Sequence, residues 1–169
     1  SNNNEFAFRV GVKEFNFLGR NITLGGFYQY DVFNSIGLNI RAPQLFSKRL
    51  GIAINYQDLT TQEPVFLDSG TAEYRYNNES VEVLALFDFN AKHRLEMCLN
   101  FFTEDYQYLS GATDMNVPQV LNVDKYLYKL IYDFNNIDYY YFYLSGFRSI
   151  LNLQLVRSQD QTLPDFTIG

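Results

Sequence analysis

The segment Arg49-Leu-Gly-Ile-Ala-Ile-Asn-Tyr-Gln57 alternates between large apolar side chains and small or polar ones. Because successive side chains of a β-strand point to opposite faces, this alternation places the large residues together on one face. Beyond Arg49, the opposite face then carries Gly51, Ala53, Asn55 and Gln57, a set with little apolar bulk and no charge. The segment therefore predicts a β-strand with one apolar and one mildly polar face.

The same period of two residues runs through most of the chain. It predicts eight strands, near residues 5–13, 21–30, 35–41, 49–57, 81–89, 94–101, 125–134 and 149–156. Leu84 and Leu86 break the alternation in the fifth of these, and no segment has the period of an amphipathic helix. A further stretch at 163–169 resembles the beginning of another strand. The pattern indicates an all-β, antiparallel, up-and-down protein.

Composition narrows the class of protein. The 169 residues include 16 Phe and 14 Tyr but no Trp, and the mean hydropathy is -0.21. A disordered tail would lack so many aromatic residues. The longest unbroken apolar run, 139–144, is far shorter than the roughly twenty residues of a membrane-spanning helix. The net charge of -6 opposes nucleic-acid binding, since phosphate contacts need clustered Lys and Arg.

The sequence offers little material for catalysis or metal binding. One Cys and one His exclude a disulfide framework and a cluster of His and Cys ligands. His93 follows a short Asn-Ala-Lys stretch, and we expect it to be a solvated turn residue rather than a catalytic base. Cys98 alternates with Met97 and Leu99, so we expect it to be a small side chain on the polar face. We therefore predict no enzyme activity, no catalytic residues, no metal site and no cofactor.

The connections between the predicted strands alternate in length. Those near 15–20, 42–48, 90–92 and 136–146 are short, whereas those near 59–77 and 105–124 are long and polar. Tight turns at one end and long loops at the other are the layout of a transmembrane β-barrel. Tyrosines at positions 28, 30, 74, 76, 106, 108, 139–141 and 143 would suit its aromatic girdles. Two alternatives remain open, a soluble sandwich and a small closed barrel of eight strands whose first and last strands pair.

Three motifs, in order along the chain, resemble those of one family. The first is Phe15-Asn-Phe-Leu-Gly-Arg-Asn21, and the second is Arg41-Ala-Pro-Gln-Leu-Phe46. The third joins Tyr132-Asp-Phe-Asn-Asn-Ile-Asp138 to Gly146-Phe-Arg148, with Asn135 in place of a basic residue and no Pro before the glycine. Together they resemble the BamA-type outer-membrane β-barrel superfamily, the bacterial surface antigens and outer-membrane protein assembly factors. The abundance of Asn, Tyr and Phe resembles a member from the Bacteroidetes.

The resemblance and the alternation together imply the residues that matter for the structure. The family motifs would be carried by Asn16, Leu18, Gly19, Arg20, Pro43, Phe46, Asp133, Asp138, Gly146 and Arg148. The residues expected to face lipid are Phe6, Phe8, Val10, Val12, Ile52, Ile54, Leu151, Leu153 and Leu155.

The resemblance also implies an architecture. Residues 1–169 would form a partial outer-membrane β-barrel domain, about eight strands from the N-terminal half of a sixteen-stranded barrel. The POTRA domains, the first strand and the C-terminal half of the family barrel would be absent from this segment.

The function implied is insertion, assembly or translocation of other outer-membrane proteins, in the outer membrane of a Gram-negative cell. It would proceed by strand templating at a lateral seam that lies outside this segment. The implied partners are outer-membrane lipid and lipopolysaccharide, other assembly subunits and client barrels, with no nucleic acid. Alternatives are a two-partner-secretion or patatin-fused barrel of the same superfamily, or a small closed porin-like barrel.

The orientation of the strands makes a direct prediction. An Arg at Ile52 should block membrane assembly, whereas an Arg at Ala53 on the opposite face should be tolerated better.

Overall fold

The computed structural model describes residues 6–115, 117–158 and 162–168. The first predicted strand starts at Glu5, which lies outside these residues. The strands are β1 Ala7–Phe17, β2 Ile22–Asp31, β3 Phe33–Ala42, β4 Leu50–Leu67, β5 Gly70–Asn90, β6 His93–Gly111, β7 Val120–Asn135, β8 Asp138–Tyr139, β9 Leu144–Ser145, β10 Arg148–Ser158 and β11 Thr162–Ile168. In the described part of the chain, no helix is long and apolar enough to cross a membrane.

Nine of the strands form one antiparallel sheet in the order β1-β2-β3-β4-β5-β6-β7-β10-β11. The strands follow one another across the sheet in chain order, so it is an up-and-down meander. β8 and β9 form a separate two-stranded hairpin between β7 and β10. The all-β, antiparallel, up-and-down prediction is confirmed, and β11 is a ninth strand where the sequence suggested the beginning of one.

The edges of the sheet decide whether the chain could be a small closed barrel or a soluble sandwich. Among the described residues, β1 pairs only with β2, and β11 pairs only with β10. A small closed barrel would need the first and last strands to pair. A sandwich would need a second sheet packed face to face with the first, and the described residues contain only the short β8–β9 hairpin besides the large sheet. Neither alternative matches this architecture.

The two long connections predicted from sequence were wrong. β4 and β5 continue as a paired hairpin as far as Leu67 and Gly70, so most of 59–77 is strand. β6 likewise extends to Gly111 and pairs with β7 from Val120 onward, so the connection between them is shorter than predicted. Thr, Gln, Asn and Glu side chains fit a strand when both of its faces are wet, so polar composition did not reveal the pairing.

The strand register defines the two faces of the sheet. One row runs through Ala42, Ile52, Ala85, Met97, Leu130 and Leu153, and we call the face on which it lies the apolar face. The next row runs through Arg41, Ala53, Leu84, Cys98, Lys129 and Gln154, and it lies on the opposite or polar face.

The buried core lies on the polar face. It is a cluster of Ala53, Leu84, Leu86 and Cys98. The exposed fraction of Leu84 is 7% and that of Leu86 is 1%, whereas Leu99 on the apolar face is 47% exposed. Because one sheet supplies both faces, this difference is what curvature toward the polar face produces. The two leucines that break the sequence alternation are therefore the inward core of the curved sheet.

Candidate functional site, the two faces of the sheet

The apolar face is a continuous surface of large side chains that nothing in the described structure covers. Across the middle of the sheet it presents a row of register partners, Ile40, Ile54, Val83, Leu99, Tyr128 and Leu155. Many of these side chains are more than one-third exposed. A water-soluble monomer rarely exposes a continuous apolar patch of more than a few hundred Å². This face is therefore a surface that needs an apolar environment.

The residues predicted to face lipid are on this surface. Val10 pairs with Tyr28, Ile54 with Val83, and Leu153 with Leu130, so the predicted residues of β1, β4 and β10 share one face. Those on the strands are Phe8, Val10, Val12, Ile52, Ile54, Leu151, Leu153 and Leu155. Phe6 immediately precedes β1, and its ring lies 5.6 Å from that of Phe8.

The apolar face has defined ends along each strand. On β5 it runs from Val81 to Phe89, which matches the about 9–11 residues that a tilted strand needs to cross a bilayer. Beyond it, the same face turns polar with Asp58, Glu79 and Asp124 on β4, β5 and β7. Tyr56 stands at this border, where its hydroxyl donates to Glu79 Oε1 at 3.1 Å.

Aromatic rings stand at the ends of the apolar face, but not all those predicted. Tyr126 packs edge-on against Phe101 with ring centroids 5.3 Å apart at one end. Tyr74, Tyr76 and Tyr106 instead lie on the polar side of the strand extensions, on the same side as Ser80 and Glu104. We predicted them to lie in a girdle because the sequence indicates that they are near strand ends. It does not indicate the register of the strand extensions, which decides the face on which they lie.

The strand extensions form a packed platform beyond the apolar face. The rings of Tyr76 and Tyr106 are 4.8 Å apart, and the Tyr76 hydroxyl donates to Glu104 Oε1 at 3.2 Å. Lys125 forms an ion pair with Glu104 at 2.5 Å. Burial raises the pKa of Tyr76 to about 12, and the negative charge of Glu104 acts in the same direction. The Tyr74 hydroxyl donates to the Pro118 carbonyl at 3.3 Å. This hydrogen bond holds Pro118, which shortly precedes β7, against the strand extensions.

The polar face carries a ladder of side-chain hydrogen bonds across β3 to β7. Asn39 donates to Asn55, and Asn55 Nδ2 donates to Glu82 Oε2 at 2.5 Å. Cys98 Sγ donates to Glu82 Oε1 at 3.0 Å, and Lys129 Nζ lies 3.5 Å from the same oxygen. The prediction that Cys98 is a small side chain on the polar face is confirmed. We refer to these five residues as the polar ladder.

A second contact spans the same strands. Arg41 Nη2 on β3 lies 2.6 Å from Glu96 Oε1 on β6, so this ion pair passes over β4 and β5. The Glu96 side chain is 14% exposed and that of Arg41 34%. The ion pair thus provides a partner for a carboxylate that is largely withdrawn from solvent.

Two further ion pairs lie at the tight-turn end of the polar face. Arg94 Nε contacts Asp88 Oδ1 at 2.7 Å. Arg148 grips Asp133 with two hydrogen bonds, from Nε at 2.9 Å and from Nη2 at 2.6 Å. The bidentate geometry matches the planar fork of Arg to a carboxylate. Asp133 and Arg148, both from the third sequence motif, are therefore direct partners that join β7 to β10.

The prediction that His93 is a solvated turn residue was wrong. It is the first residue of β6, and its Nδ1 lies 2.5 Å from the Tyr132 hydroxyl. Its ring also packs 4.7 Å from that of Phe134. Ala91 and Lys92 form the turn instead. Asn90, the last residue of β5, closes it, because its Oδ1 accepts hydrogen bonds from the backbone N–H groups of Lys92 and His93.

The first motif forms the β1–β2 turn. Leu18, Gly19 and Asn21 all have φ between 56° and 68°, so the backbone is left-handed through most of the turn. Asn16 holds it closed: its carbonyl accepts from Gly19 N–H at 2.9 Å, and its Oδ1 accepts from Asn21 N–H at 2.9 Å. Arg20 N–H donates to the Phe17 carbonyl at 3.3 Å.

The second motif forms the β3–β4 connection. Phe46 N–H donates to the Leu50 carbonyl at 3.1 Å, while the Phe46 side chain is exposed. Gly51 lies so close to this connection that a Cβ on it would overlap the carbonyl groups of Ala42 and Pro43. Pro43 therefore takes part through its backbone position.

The third motif forms the base of the β8–β9 hairpin. Asp138 pairs with Ser145 in the short ladder. Gly146 has a φ of +106°, and a Cβ there would overlap the Asn136 carbonyl oxygen. Only glycine accommodates both the backbone conformation and the close approach.

The polar ladder was the main feature that the sequence did not reveal. Asn39, Asn55, Glu82 and Lys129 each have the strand parity of the polar face, and that parity was the available signal. Their contacts depend on the register between strands far apart in sequence. Among the described residues, no group of three or more His, Cys, Asp or Glu side chains is arranged to hold a metal ion.

Comparison with known proteins supports the fold. No protein-family model matches the chain, and no curated protein matches it. The crystal structure of BamA from Haemophilus ducreyi lacking POTRA domains 1–3 is similar to 92% of this chain, with a TM-score of 0.56 and 15% sequence identity. This chain spans about a third of that structure, 32% of its length. The class defined by fold and faces is an antiparallel β-sheet like part of the BamA barrel.

Proposed function

We propose that this chain forms part of the wall of an outer-membrane β-barrel, with the apolar face toward lipid and the polar face toward the lumen. The observation that carries this proposal is the continuous, uncovered apolar face, bounded along the strands by polar residues. In a transmembrane barrel, outward apolar and inward polar residues alternate in this way. The similarity in fold to part of BamA supports the same assignment.

The proposed biological role is insertion, assembly or translocation of other outer-membrane proteins, as a BamA-type barrel of a Gram-negative, Bacteroidetes-like cell. The three sequence motifs support it, since each one forms a defined turn or base in the fold. Strand templating would take place at a seam outside this segment. The corresponding partners are outer-membrane lipid, lipopolysaccharide, other assembly subunits and client barrels, and no catalytic step or cofactor is involved.

The polar ladder supports the lumen assignment for the polar face. Its carboxylate, amide and ammonium groups are paired with one another, so the face tolerates partial withdrawal from bulk water. A lipid-facing surface could not carry Glu82 and Lys129 at its centre without a large energetic cost.

A pair of neighbouring substitutions on β10 tests the proposal. Leu153 is at the centre of the apolar run on its strand, and Gln154 is next to it on the polar face, opposite Lys129. Leu153→Arg should cost about 2–4 kcal/mol of membrane stability if that face contacts lipid, whereas Gln154→Arg should cost much less. The measurement is the amount of folded protein in the outer-membrane fraction, together with the level of other barrel proteins when each variant replaces the wild type.

Gln154 is a better polar-face position for an Arg than Ala53. Ala53 is almost completely buried against Leu84 and Cys98, so an Arg there would be excluded by packing alone. Equal membrane levels of Leu153→Arg and Gln154→Arg would contradict the lipid-facing assignment. Normal levels of other barrels in a strain lacking the protein would contradict the assembly role while leaving the barrel intact.

A further inference from the structure

We propose that the β8–β9 hairpin is an aromatic anchor that inserts its tip, Tyr141 and Phe142, into the lipid–water interface at the tight-turn end of the barrel wall. The proposal rests on the proposed function, because it needs the apolar face to be in a membrane. It adds a site that lies outside the sheet and specifies its occupant as the interfacial region of a phospholipid layer.

The hairpin presents its aromatic residues outward instead of packing them on the protein. Tyr141 is 94% exposed and Phe142 is 90% exposed, and their rings meet edge-on at 4.6 Å. The adjacent Tyr139, Tyr143 and Leu144 are also exposed. Burial of a large apolar side chain contributes about 1.5–3 kcal/mol, so a tip of this composition gains substantially from an apolar environment.

The tip keeps its shape through contacts within the hairpin. Tyr140 N–H donates to the Tyr143 carbonyl at 2.9 Å, and the rings of these two residues stack with centroids 4.6 Å apart. The base is fixed by Gly146 and by the hydrogen bond from Asn136 N–H to the Phe147 carbonyl at 2.9 Å. The hairpin is thus preorganised, so that little conformational entropy is lost when its tip enters another phase.

The hairpin continues from the apolar face at the end of β7. Phe134, the last aromatic residue of that face on β7, has its ring 5.1 Å from that of Phe147 at the foot of the hairpin. The foot of the hairpin is therefore in direct aromatic contact with the apolar face. From Tyr139 to Phe147 the sequence has no charged side chain, although Asp138 and Arg148 flank it.

Residue chemistry favours the membrane interface over a protein pocket. The hairpin carries four tyrosines, and each ring pairs an apolar body with a hydroxyl that needs a hydrogen-bond partner. The interfacial layer of a bilayer supplies both environments, and Tyr is enriched there for this reason. The tip is uncharged, so it needs no complementary charge on its partner. A layer of zwitterionic headgroups has no net charge, and it therefore suits such a tip.

The absence of Trp from the chain provides a clean experiment. Phe142→Trp places a single tryptophan at the tip, in the protein reconstituted in phosphatidylcholine vesicles. Fluorescence quenching is measured with lipids brominated either high on the acyl chain or near its end. Leu153→Trp on the apolar face is the positive control, and Phe66→Trp, which is 81% exposed near the far end of β4, is the negative control.

The expected result is quenching of Phe142→Trp at least about twofold stronger than that of Phe66→Trp, with the shallow bromines more effective than the deep ones. Quenching of Leu153→Trp without quenching of Phe142→Trp would overturn the anchor but leave the lipid-facing wall in place, and a protein partner would then be the occupant of the tip. Absence of quenching in both variants would overturn the proposed function itself.

Discussion

Gly51 marks the point where the β3–β4 connection approaches a strand most closely. A side chain there would meet backbone carbonyl groups of Ala42 and Pro43, which cannot rotate away as a side chain can. The glycine is therefore required by the fold of the connection, although its φ is unexceptional. From the sequence, it was one small residue among several on the polar face.

We expect Gly51→Ala to destabilise the folded protein by about 1–3 kcal/mol, because overpacking forces backbone displacement. The measurement is the free energy of unfolding by urea in detergent or lipid. Gly25→Ala is the matched control on the same face, where an added Cβ would meet no heavy atom closer than 3.8 Å. Similar losses for the two variants would show that glycine flexibility, and not the contact at Gly51, is responsible.

Tyr76 gives a prediction for pH dependence. Its pKa is raised from 10.0 to about 12, chiefly by burial, so folding favours the neutral phenol. The stability that this provides is complete below pH 10, and it is lost as the pH rises through about 12. The free energy of unfolding of Tyr76→Phe should therefore depend less on pH over that interval than that of the wild type.

Unfolding measured between pH 9 and 12 would test this, with Tyr141→Phe at the exposed hairpin tip as the control variant. The same steepness of alkaline destabilisation in wild type and Tyr76→Phe would assign the effect to other groups.

At the scale of the strands, the polar ladder joins neighbouring strands through side-chain hydrogen bonds, in addition to the hydrogen bonds of the backbone. Glu82 on β5 is the common acceptor for Asn55 on β4, Cys98 on β6 and Lys129 on β7. Glu82 and Lys129 each have about one-fifth of the side chain exposed, so water screens the pair only partly. Their interaction should be measurable in spite of the 3.5 Å separation.

We expect Lys129→Met to destabilise the protein by about 1–3 kcal/mol, because it leaves the Glu82 carboxylate with fewer partners in a half-buried site. The Glu82→Gln/Lys129→Met double variant should lose less than the sum of the two single variants. A double-mutant cycle of unfolding free energies measures this coupling. Strict additivity would mean that the two charges do not stabilise one another.

The strands also show how far sequence could take the structure. In β4, the alternation from Leu50 to Gln57 revealed the strand and both faces, because one face must stay apolar. The extension of β4 from Asp58 to Leu67 was hidden, since its residues 60–63 are polar on both faces and interrupt the alternation, and the remaining signal is pairing with β5. The partners of Glu82 were equally hidden, because a contact between β5 and β7 depends on register across β6.

At the scale of the whole molecule, the described residues form one large sheet and the short β8–β9 hairpin, so no second layer of these residues covers the apolar face. The core on the polar face is small, and most large side chains of the central strands are on the other face. A high aromatic content is compatible with the negative mean hydropathy, because most rings of the central strands lie on the side opposite to the polar groups of the same strands.

We expect the chain to remain folded and monodisperse only in detergent or lipid. Scattered single apolar residues would be harmless, but a continuous face of this size drives association in water. Size-exclusion chromatography and circular dichroism with and without detergent would measure the effect. A stable, monodisperse β-protein in detergent-free buffer would contradict the membrane assignment, and Leu153→Arg in the same buffer would then be innocuous.

The polar ladder also has a mechanical consequence. For β5 to slide by two residues relative to both β4 and β6, Glu82 would have to leave Asn55, Cys98 and Lys129, and Leu84 would have to leave the core. We therefore expect strands β3 to β7 to resist sliding past one another and to move as one rigid unit. Among the described residues, no side-chain hydrogen bond joins β1 to β2. The one cation–π contact between these two strands in that part of the chain is that of Arg9 with Phe27. Bending under load should then concentrate at the β1 side, which gives this wall one stiff region and one compliant margin.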